Sequence, residues 1–281
     1  MVYICYQKLW EGLCPILFSA LLVSCVALPK QETKLFSNNV SEVEKGVDPL
    51  LFELSAAERS EAIIELKSEA AVDPSQLSTF DPSEAYYFAS IGDGPNTTKL
   101  RSAFGVIESY AALLTALVDG SSVAEWQGQV QTIASNISVL ARSPQFSAVL
   151  KQLDPIIGQL LTAHSNAEAR KLVLAGRKPM LILLGELRNS SDQIFQTLVF
   201  QDQPGVSARS KTERKTDMDA ARTKVANYVV LLDRLATNFV QMADAYSRPS
   251  NAVTLSVVAE ASGNLAADAK AARAVFATLN R

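Results

Sequence analysis

Apolar residues recur in alternating steps of three and four along most of this 281-residue chain, which is the spacing of a helix that buries one face. The longest uninterrupted example covers residues 208–247. One seam position holds Met218, Val225, Leu232, Phe239 and Tyr246, and the other holds Ala221, Tyr228, Leu235 and Met242. A strict seven-residue repeat favours left-handed supercoiling against neighbouring helices. The long alternating runs of β-branched residues that predict strands do not occur.

A helical hairpin is predicted over residues 99–141. Its first helix carries Leu100, Phe104, Ile107, Ala111, Leu114 and Val118, and its second carries Val123, Trp126, Val130, Ile133, Ile137 and Leu140. Asp119-Gly120-Ser121 separates the two stripes, and Ser122 with Glu125 has the spacing of a capping box at the start of the second helix. So short a connection favours antiparallel packing.

Further helical segments are predicted over residues 144–164, from Asn166 to Leu198 with an interruption at Pro179, and from Leu255 to Leu279. Turns rich in proline and glycine separate them. We therefore predict an all-α fold, an elongated up-and-down antiparallel bundle of six or seven helices with coiled-coil-like heptad packing.

The region before the bundle has no sustained period. Residues 26–47 are polar and mixed, so residues 25–47 are predicted to form a flexible tether. Asp48-Pro49 has the pattern of a helix N-cap followed by proline at the first helical position. The helical domain is accordingly predicted to cover residues 48–281.

The N-terminal segment differs in composition from the rest. Lys8 and Glu11 precede an uncharged apolar stretch, which ends in Leu22-Val23-Ser24-Cys25. This order of an aliphatic residue, two small residues and a cysteine resembles the lipobox of bacterial lipoproteins. Cys5 and Cys14 lack the preceding tripeptide.

The lipoprotein resemblance covers residues 1–25 and implies a modification. Residues 1–24 would be a signal peptide, cleaved between Ser24 and Cys25, and the Cys25 sulfur would carry the lipid, with palmitate among its acyl chains. Several chains on one cysteine hold a protein on a membrane effectively permanently. Val26 stands where an aspartate would signal retention in the inner membrane of enteric bacteria. The implied location is therefore the outer membrane, with the protein facing the periplasm.

An uncleaved membrane anchor is the alternative for this segment. Residues 12–28 carry no charge, and their length is at the lower limit of about 17–25 residues for a spanning helix. The chain would then be a single-pass membrane protein with the same bundle outside the bilayer.

Charge and cysteine content narrow the functional classes. With 26 Lys and Arg against 29 Asp and Glu, the net charge of −3 argues against nucleic-acid binding. Beyond Cys25 no cysteine remains, so a disulfide is excluded from the mature part and stability must come from apolar packing.

Candidate chemistry is sparse. His164 is the only histidine and adjoins the Ser165-Asn166 break, where a solvent-facing helix end is favoured. Acidic residues of one early helix are predicted to form a solvated face with local ion pairs. They are Glu53, Glu58, Glu61, Glu65 and Glu69. A Glu-x-x-His pair, a phosphate-binding glycine loop and a Gly-x-Ser-x-Gly elbow do not occur. No catalytic, cofactor-binding or metal-ligating residue is therefore predicted.

Three other stretches of the sequence are candidate contact surfaces. The basic stretch 209–215 is more typical of a charged helix start than of a surface that contacts anionic lipid or anionic cell-wall polymer. For the aromatic cluster of Tyr86, Tyr87 and Phe88, hydrophobic capping of the bundle end is favoured over stacking on a ligand. Residues 181–184 are the best apolar patch for membrane insertion, but Lys178 and Glu186 flank it closely.

The expected function is that of a lipid-anchored protein of the bacterial cell envelope. Its non-catalytic helical bundle would act as a binding or structural module, with membrane lipid contacted through acylated Cys25 and an envelope protein as partner. Besides the single-pass protein, the alternatives are a membrane-active helical protein and an enzyme of unfamiliar type.

Overall fold

The computed structural model describes residues 29–72, 79–89, 91–200, 210–246 and 252–278, and these ranges contain helices and no strand. The helices are α1 (Lys30–Val72), α2 (Ala85–Phe88), α3 (Pro95–Asp119), α4 (Val123–Leu140), α5 (Ser147–Thr162), α6 (Asn166–Ala175), α7 (Arg177–Asn189), α8 (Ser191–Val199), α9 (Lys211–Ala245) and α10 (Ala252–Thr278). Short 3-10 turns precede α2 and α5. The predicted all-α class is confirmed.

Helix α1 is the element around which the others pack. It has 43 residues and is therefore about 65 Å long. Helices α3, α8, α9 and α10 all lie against it. The contacts Asn39–Asn238 and Glu53–Lys224 show that α1 and α9 run antiparallel. Helices α1 and α3 are also antiparallel, because Lys34 contacts Asp119 and Asp48 contacts Arg101.

The predicted tether is wrong for residues 30–47. These residues form the first part of α1, and Phe36, Val40, Val43 and Val47 are each at most 1% exposed. Their spacing of four, three and four residues places them on one helical face. Pro49 lies inside the helix rather than at its first position. Residues 25–28 lie outside the described residues.

The predicted α3–α4 hairpin is confirmed. Helix α3 ends at Asp119 and α4 begins at Val123, with the two helices packed together. The backbone N–H of Ser122 donates to the Glu125 carboxylate at 2.8 Å, and the Ser122 hydroxyl accepts from the Glu125 backbone at 3.4 Å. This capping box satisfies helix N–H groups that would otherwise lack partners.

The helix break predicted at Pro179 lies three residues earlier. Helix α6 ends at Ala175 and α7 begins at Arg177, so Pro179 falls in the first turn of α7. A proline is tolerated there because the first-turn N–H groups have no intrahelical acceptor. Most seam residues of α9 are buried, including Tyr228, Leu235 and Met242, and Met218, Val225 and Tyr246 are partly exposed. Heptad packing between helices stays a prediction.

A polar network crosses the core between α1, α9 and α10. The Asn39 side chain donates to the Asn238 side-chain oxygen at 3.1 Å, and Asn238 donates to the Ser262 hydroxyl at 3.3 Å. All three residues are at most 3% exposed. Buried amides lose stability if their partners are displaced, so this network fixes the register of the three helices.

One described helix has the length and composition of a membrane span. It is α3, and 67% of its apolar window is buried inside the bundle. Helices α1, α4, α6 and α7 pack around it. The apolar character of α3 is accounted for by its place in the core.

Two carboxyl groups face each other between α1 and α3. Burial raises the pKa of Glu44 to about 7, and the nearby charge of Glu108, together with a hydrogen bond between the two side chains, acts in the same direction. Arg101 partly opposes the shift, whereas Asp48 adds to it. Glu44 therefore takes up a proton on folding at mildly acidic pH.

We predict that Glu44→Gln stabilises the protein at about pH 8 but not near pH 4.5. The folded-state pKa lies above the ordinary value of 4.5, so the stabilisation from the bound proton is complete below that value and is lost as the pH rises through 7. The expected gain at about pH 8 is about 1 kcal/mol, allowing for solvent screening of this half-exposed group. Urea denaturation at both pH values measures it. A constant difference between variant and wild type across this range would contradict the assignment.

Candidate functional site

The predicted lipidation and cleavage residues, Cys25 and Ser24, lie outside the described residues, so both assignments stay predictions. His164 is exposed, as expected for a helix end. Its backbone N–H donates to the Glu168 carboxylate at 3.3 Å, and the Ser165 hydroxyl caps the first turn of α6.

The carboxylates of α1 have three different environments, so the predicted solvated face is wrong for Glu53 and Glu58. Glu53 forms an ion pair with Lys224, which is 2% exposed, at 2.5 and 2.7 Å. Glu58 is itself buried, at 4% exposure. Glu61, Glu65 and Glu69 line a groove together with residues from other elements.

Glu58 holds the start of α3 against α1. Its carboxylate accepts the backbone N–H of Asn96 at 2.7 Å, the backbone N–H of Thr97 at 3.2 Å and the Thr97 hydroxyl at 3.1 Å. The N-terminus of a helix carries a partial positive charge and unpaired N–H groups, so a carboxylate there is favourable. This cap comes from another helix, because Gly94 at the N-cap position has no side chain to supply one.

The groove lies between the C-terminal half of α1, the segment around α2, and α8. We call it the α1–α8 groove, and its volume is about 440 Å³. Its lining comprises Glu58, Glu61, Ala62, Glu65, Leu66, Glu69, Glu84, Tyr87, Phe88, Asn96, Gln193, Gln196 and Thr197. Carboxylates and aromatic rings thus share one surface, which can bind cationic and apolar groups.

The carboxylates of the groove act on one another. Burial raises the pKa of Glu61, the charges of Glu65 and Glu58 raise it further, and a hydrogen bond from Thr197 opposes the shift. The pKa of Tyr87 is raised by burial and then by Glu58, Glu65, Glu61 and Glu84. Negative charge is therefore concentrated here at a cost in repulsion, which a bound cation would relieve.

A smaller pocket of about 200 Å³ opens beside the groove and shares four of its residues, among them Glu58. It reaches inward to Leu54, Phe146 and Ile194. Its rim is polar, because the Gln145 amide donates to the Ser190 hydroxyl at 2.7 Å and to a backbone carbonyl at 2.9 Å. The pocket could accept the end of one side chain from a ligand in the groove.

The aromatic cluster does not cap the bundle end as predicted. Tyr86 is 62% exposed and Phe88 is 42% exposed, whereas Tyr87 is half-buried and lines the groove. Successive helical residues point about 100° apart, so three aromatic side chains in a row cannot all face α1. Phe80 and Ile91 on the same segment are also exposed, at 68% and 80%.

Arg59 ties this segment to α1. Its guanidinium donates to the carbonyl oxygens of Ala89 at 3.2 Å and Gly92 at 2.7 Å, and to the Ser55 hydroxyl at 2.9 Å. Gly92 has a φ of +77°, which glycine adopts without strain. The exposed apolar side chains therefore stand on a backbone that is held at its C-terminal end.

The basic stretch begins α9. Arg209 lies outside the described residues, whereas Ser210 and Glu213 form a capping box, in agreement with the predicted charged helix start. The register of the Glu53–Lys224 pair puts the first turns of α9 and the C-terminal end of α1 at the same end of the bundle. In the described residues, no group of three or more His, Cys, Asp or Glu side chains is arranged to hold a metal ion.

The chain matches no protein-family model, no curated protein and no solved structure.

We predict that Glu58→Ala lowers the free energy of unfolding by about 3 kcal/mol, since it removes three charge-assisted hydrogen bonds and leaves a cavity. Glu58→Gln should cost about half as much, because an amide oxygen still accepts one or two of these bonds. Urea denaturation gives both values, with Glu69→Ala as the control on the exposed part of the same helix. Equal effects of Glu58→Ala and Glu69→Ala would show that Glu58 does not hold α3.

Proposed function

We propose that the protein is a lipid-anchored component of the bacterial cell envelope whose helical bundle is a non-catalytic binding module. The observation that carries the proposal is the sequence Leu22-Val23-Ser24-Cys25 at the end of an uncharged apolar stretch. After cleavage, the acylated Cys25 becomes the first residue and attaches the bundle to the outer membrane on its periplasmic side.

The start of α1 bears on how such an anchor would hold the bundle. Only four residues separate Cys25 from Lys30, the first residue of α1. Five residue steps reach at most about 18 Å, so the N-terminal end of α1 would stay close to the lipid headgroups. The connection from Cys25 to α1 is far shorter than the tether of residues 25–47 that the sequence predicted.

The α1–α8 groove lies at the other end of α1. From Lys30 to Glu65 the helix rises about 52 Å. A bundle anchored through Cys25 can therefore present the groove well away from the membrane that holds it. His164 is at the anchored end, because Lys34 near the start of α1 contacts Asp119 at the end of α3, and Gln127 near the start of α4 contacts the carbonyl of Leu161 at the end of α5.

A binding role agrees with the groove's chemistry. Its described lining offers carboxylates, amides and aromatic rings, and includes no serine, cysteine, lysine or histidine. Residues 181–184, considered above for membrane insertion, belong to or pack against the core, with Leu183 and Leu184 at most 2% exposed. Insertion would require the bundle to open, so a membrane-active role has less support.

We predict that metabolic palmitate labelling is lost in Cys25→Ser and retained in the control Cys14→Ser, because only Cys25 follows the aliphatic-small-small tripeptide. Mass spectrometry of protein purified from its host should find an acylated cysteine as the first residue. If the label survives Cys25→Ser, or if the purified protein begins at Met1, the lipid anchor is rejected in favour of the single-pass membrane protein.

A further inference from the structure

A group of exposed apolar side chains borders the α1–α8 groove. Phe80, Tyr86, Phe88 and Ile91 are each between 42% and 80% exposed, and we call them the apolar ridge. They lie on the segment that packs along α1 through α2. Several exposed apolar side chains on one short segment beside polar residues are typical of protein interaction surfaces.

The C-terminal part of the ridge segment is held in place before any partner binds. Arg59 fixes the backbone at Ala89 and Gly92, and the backbone N–H of Gly94 donates to the Ser55 hydroxyl at 3.1 Å. A surface that is ordered in advance loses little conformational entropy on binding. Phe88 belongs both to the ridge and to the lining of the groove, so the two surfaces are continuous.

The charge of the groove determines the sign of the charge that a partner at the ridge should carry. It contributes the carboxylates of Glu61, Glu65, Glu69 and Glu84, and its described lining contains no lysine or arginine. Other cations at this end of the bundle are Arg59 and Lys67 on α1, Lys99 in the neighbouring pocket and those of the first turns of α9, but none of them lines the groove. A cationic partner is favoured, and anionic lipid headgroups are repelled.

The spacing of the carboxylates fits an elongated ligand. Glu58, Glu61, Glu65 and Glu69 follow one another at three or four residues, which is about 5–6 Å per step along α1. Lysine or arginine residues on one face of a helix have the same spacing. Because Glu58 is occupied by the start of α3, the three outer carboxylates are the ones that can meet such a helix.

We propose that the ridge and groove together bind a basic amphipathic helix of a partner protein. Its apolar face lies on the ridge, and its lysine or arginine side chains enter the groove between the carboxylates. The proposal deepens the binding role given above and rests on it, but it does not depend on how the chain is anchored.

The direct test uses the full chain in nanodiscs of phosphatidylcholine, with empty nanodiscs as the blank. The probe is a fluorescent amphipathic helical peptide of leucine and lysine, about 18 residues long. Anisotropy should show saturable binding that weakens as salt is added, because the attraction is screened. A peptide of leucine and glutamate with the same pattern should not bind, and a scrambled leucine–lysine peptide should bind at least about tenfold more weakly.

Two variants locate the site. The triple variant Glu61→Gln/Glu65→Gln/Glu84→Gln should weaken binding of the leucine–lysine peptide by about tenfold, and Phe88→Ser by about fivefold to tenfold. Removing like charges does not endanger the fold, so the triple variant should remain as stable as the wild type. The matched controls are Glu260→Gln and Val257→Ser on α10, both at exposed positions. They should leave the affinity unchanged.

Three results would overturn the proposal. The first is absence of saturable binding, or equal losses in the controls. The second is recruitment to vesicles of phosphatidylglycerol that Phe88→Ser abolishes, which would make the ridge a membrane contact. The third is self-association that Phe88→Ser abolishes, which would make it a contact between copies. If palmitate labelling fails but the peptide still binds, the lipid anchor is rejected and the groove remains the proposed binding site.

Discussion

Burial of one face of α1 is the interaction on which the rest of the structure depends. The buried residues of this face are Phe36, Val40, Val43, Val47, Leu50, Leu51 and Leu54. Each fully buried apolar side chain of this size contributes about 1.5–3 kcal/mol. Helices α3, α9 and α10 supply the opposing surfaces, so each of them buries part of its own apolar face against α1. Phe36, for example, packs on Phe239 with ring centroids 5.2 Å apart.

The same helix also creates the candidate site. The inner face of α1 is apolar as far as Leu54, and beyond it the same stripe, continued in steps of three and four residues, carries the groove carboxylates Glu61 and Glu65, with Glu69 one turn further. Glu58 lies between these two regions and binds the start of α3. Packing therefore sets where the groove lies, and the groove's charge stands on the continuation of the packed face beyond its last buried apolar side chain.

Sequence patterns predicted the helices whose apolar stripes are uninterrupted. All of the predicted stripe of α3 and most of the stripes of α4 and α9 coincide with buried residues, and capping boxes at Ser122 and Ser210 mark two of the starts. The first part of α1 was predicted as a tether because several of its residues are typical of loops. Asn39 is typical of loops but is buried against Asn238, and Gly46 lies where a Cβ would come within 3.0 Å of the Ala269 carbonyl oxygen. Both residues serve contacts with α9 and α10 that no local pattern contains.

The site was only partly predictable for the same reason. The carboxylates of α1 and the aromatic residues 86–88 were both noticed in the sequence. Their roles depend on which elements pack beside them, since Glu58 is buried by α3 and Tyr87 is directed into the groove by the packing of α2 along α1.

Hydrogen–deuterium exchange of the full chain tests most directly whether α1 is one continuous helix that organises the bundle. The amides of residues 34–47 should exchange as slowly as those in the buried middle of α3, because both would open only when the bundle unfolds. Exchange of residues 34–47 at the rate of an unstructured peptide, with α3 still protected, would contradict the account.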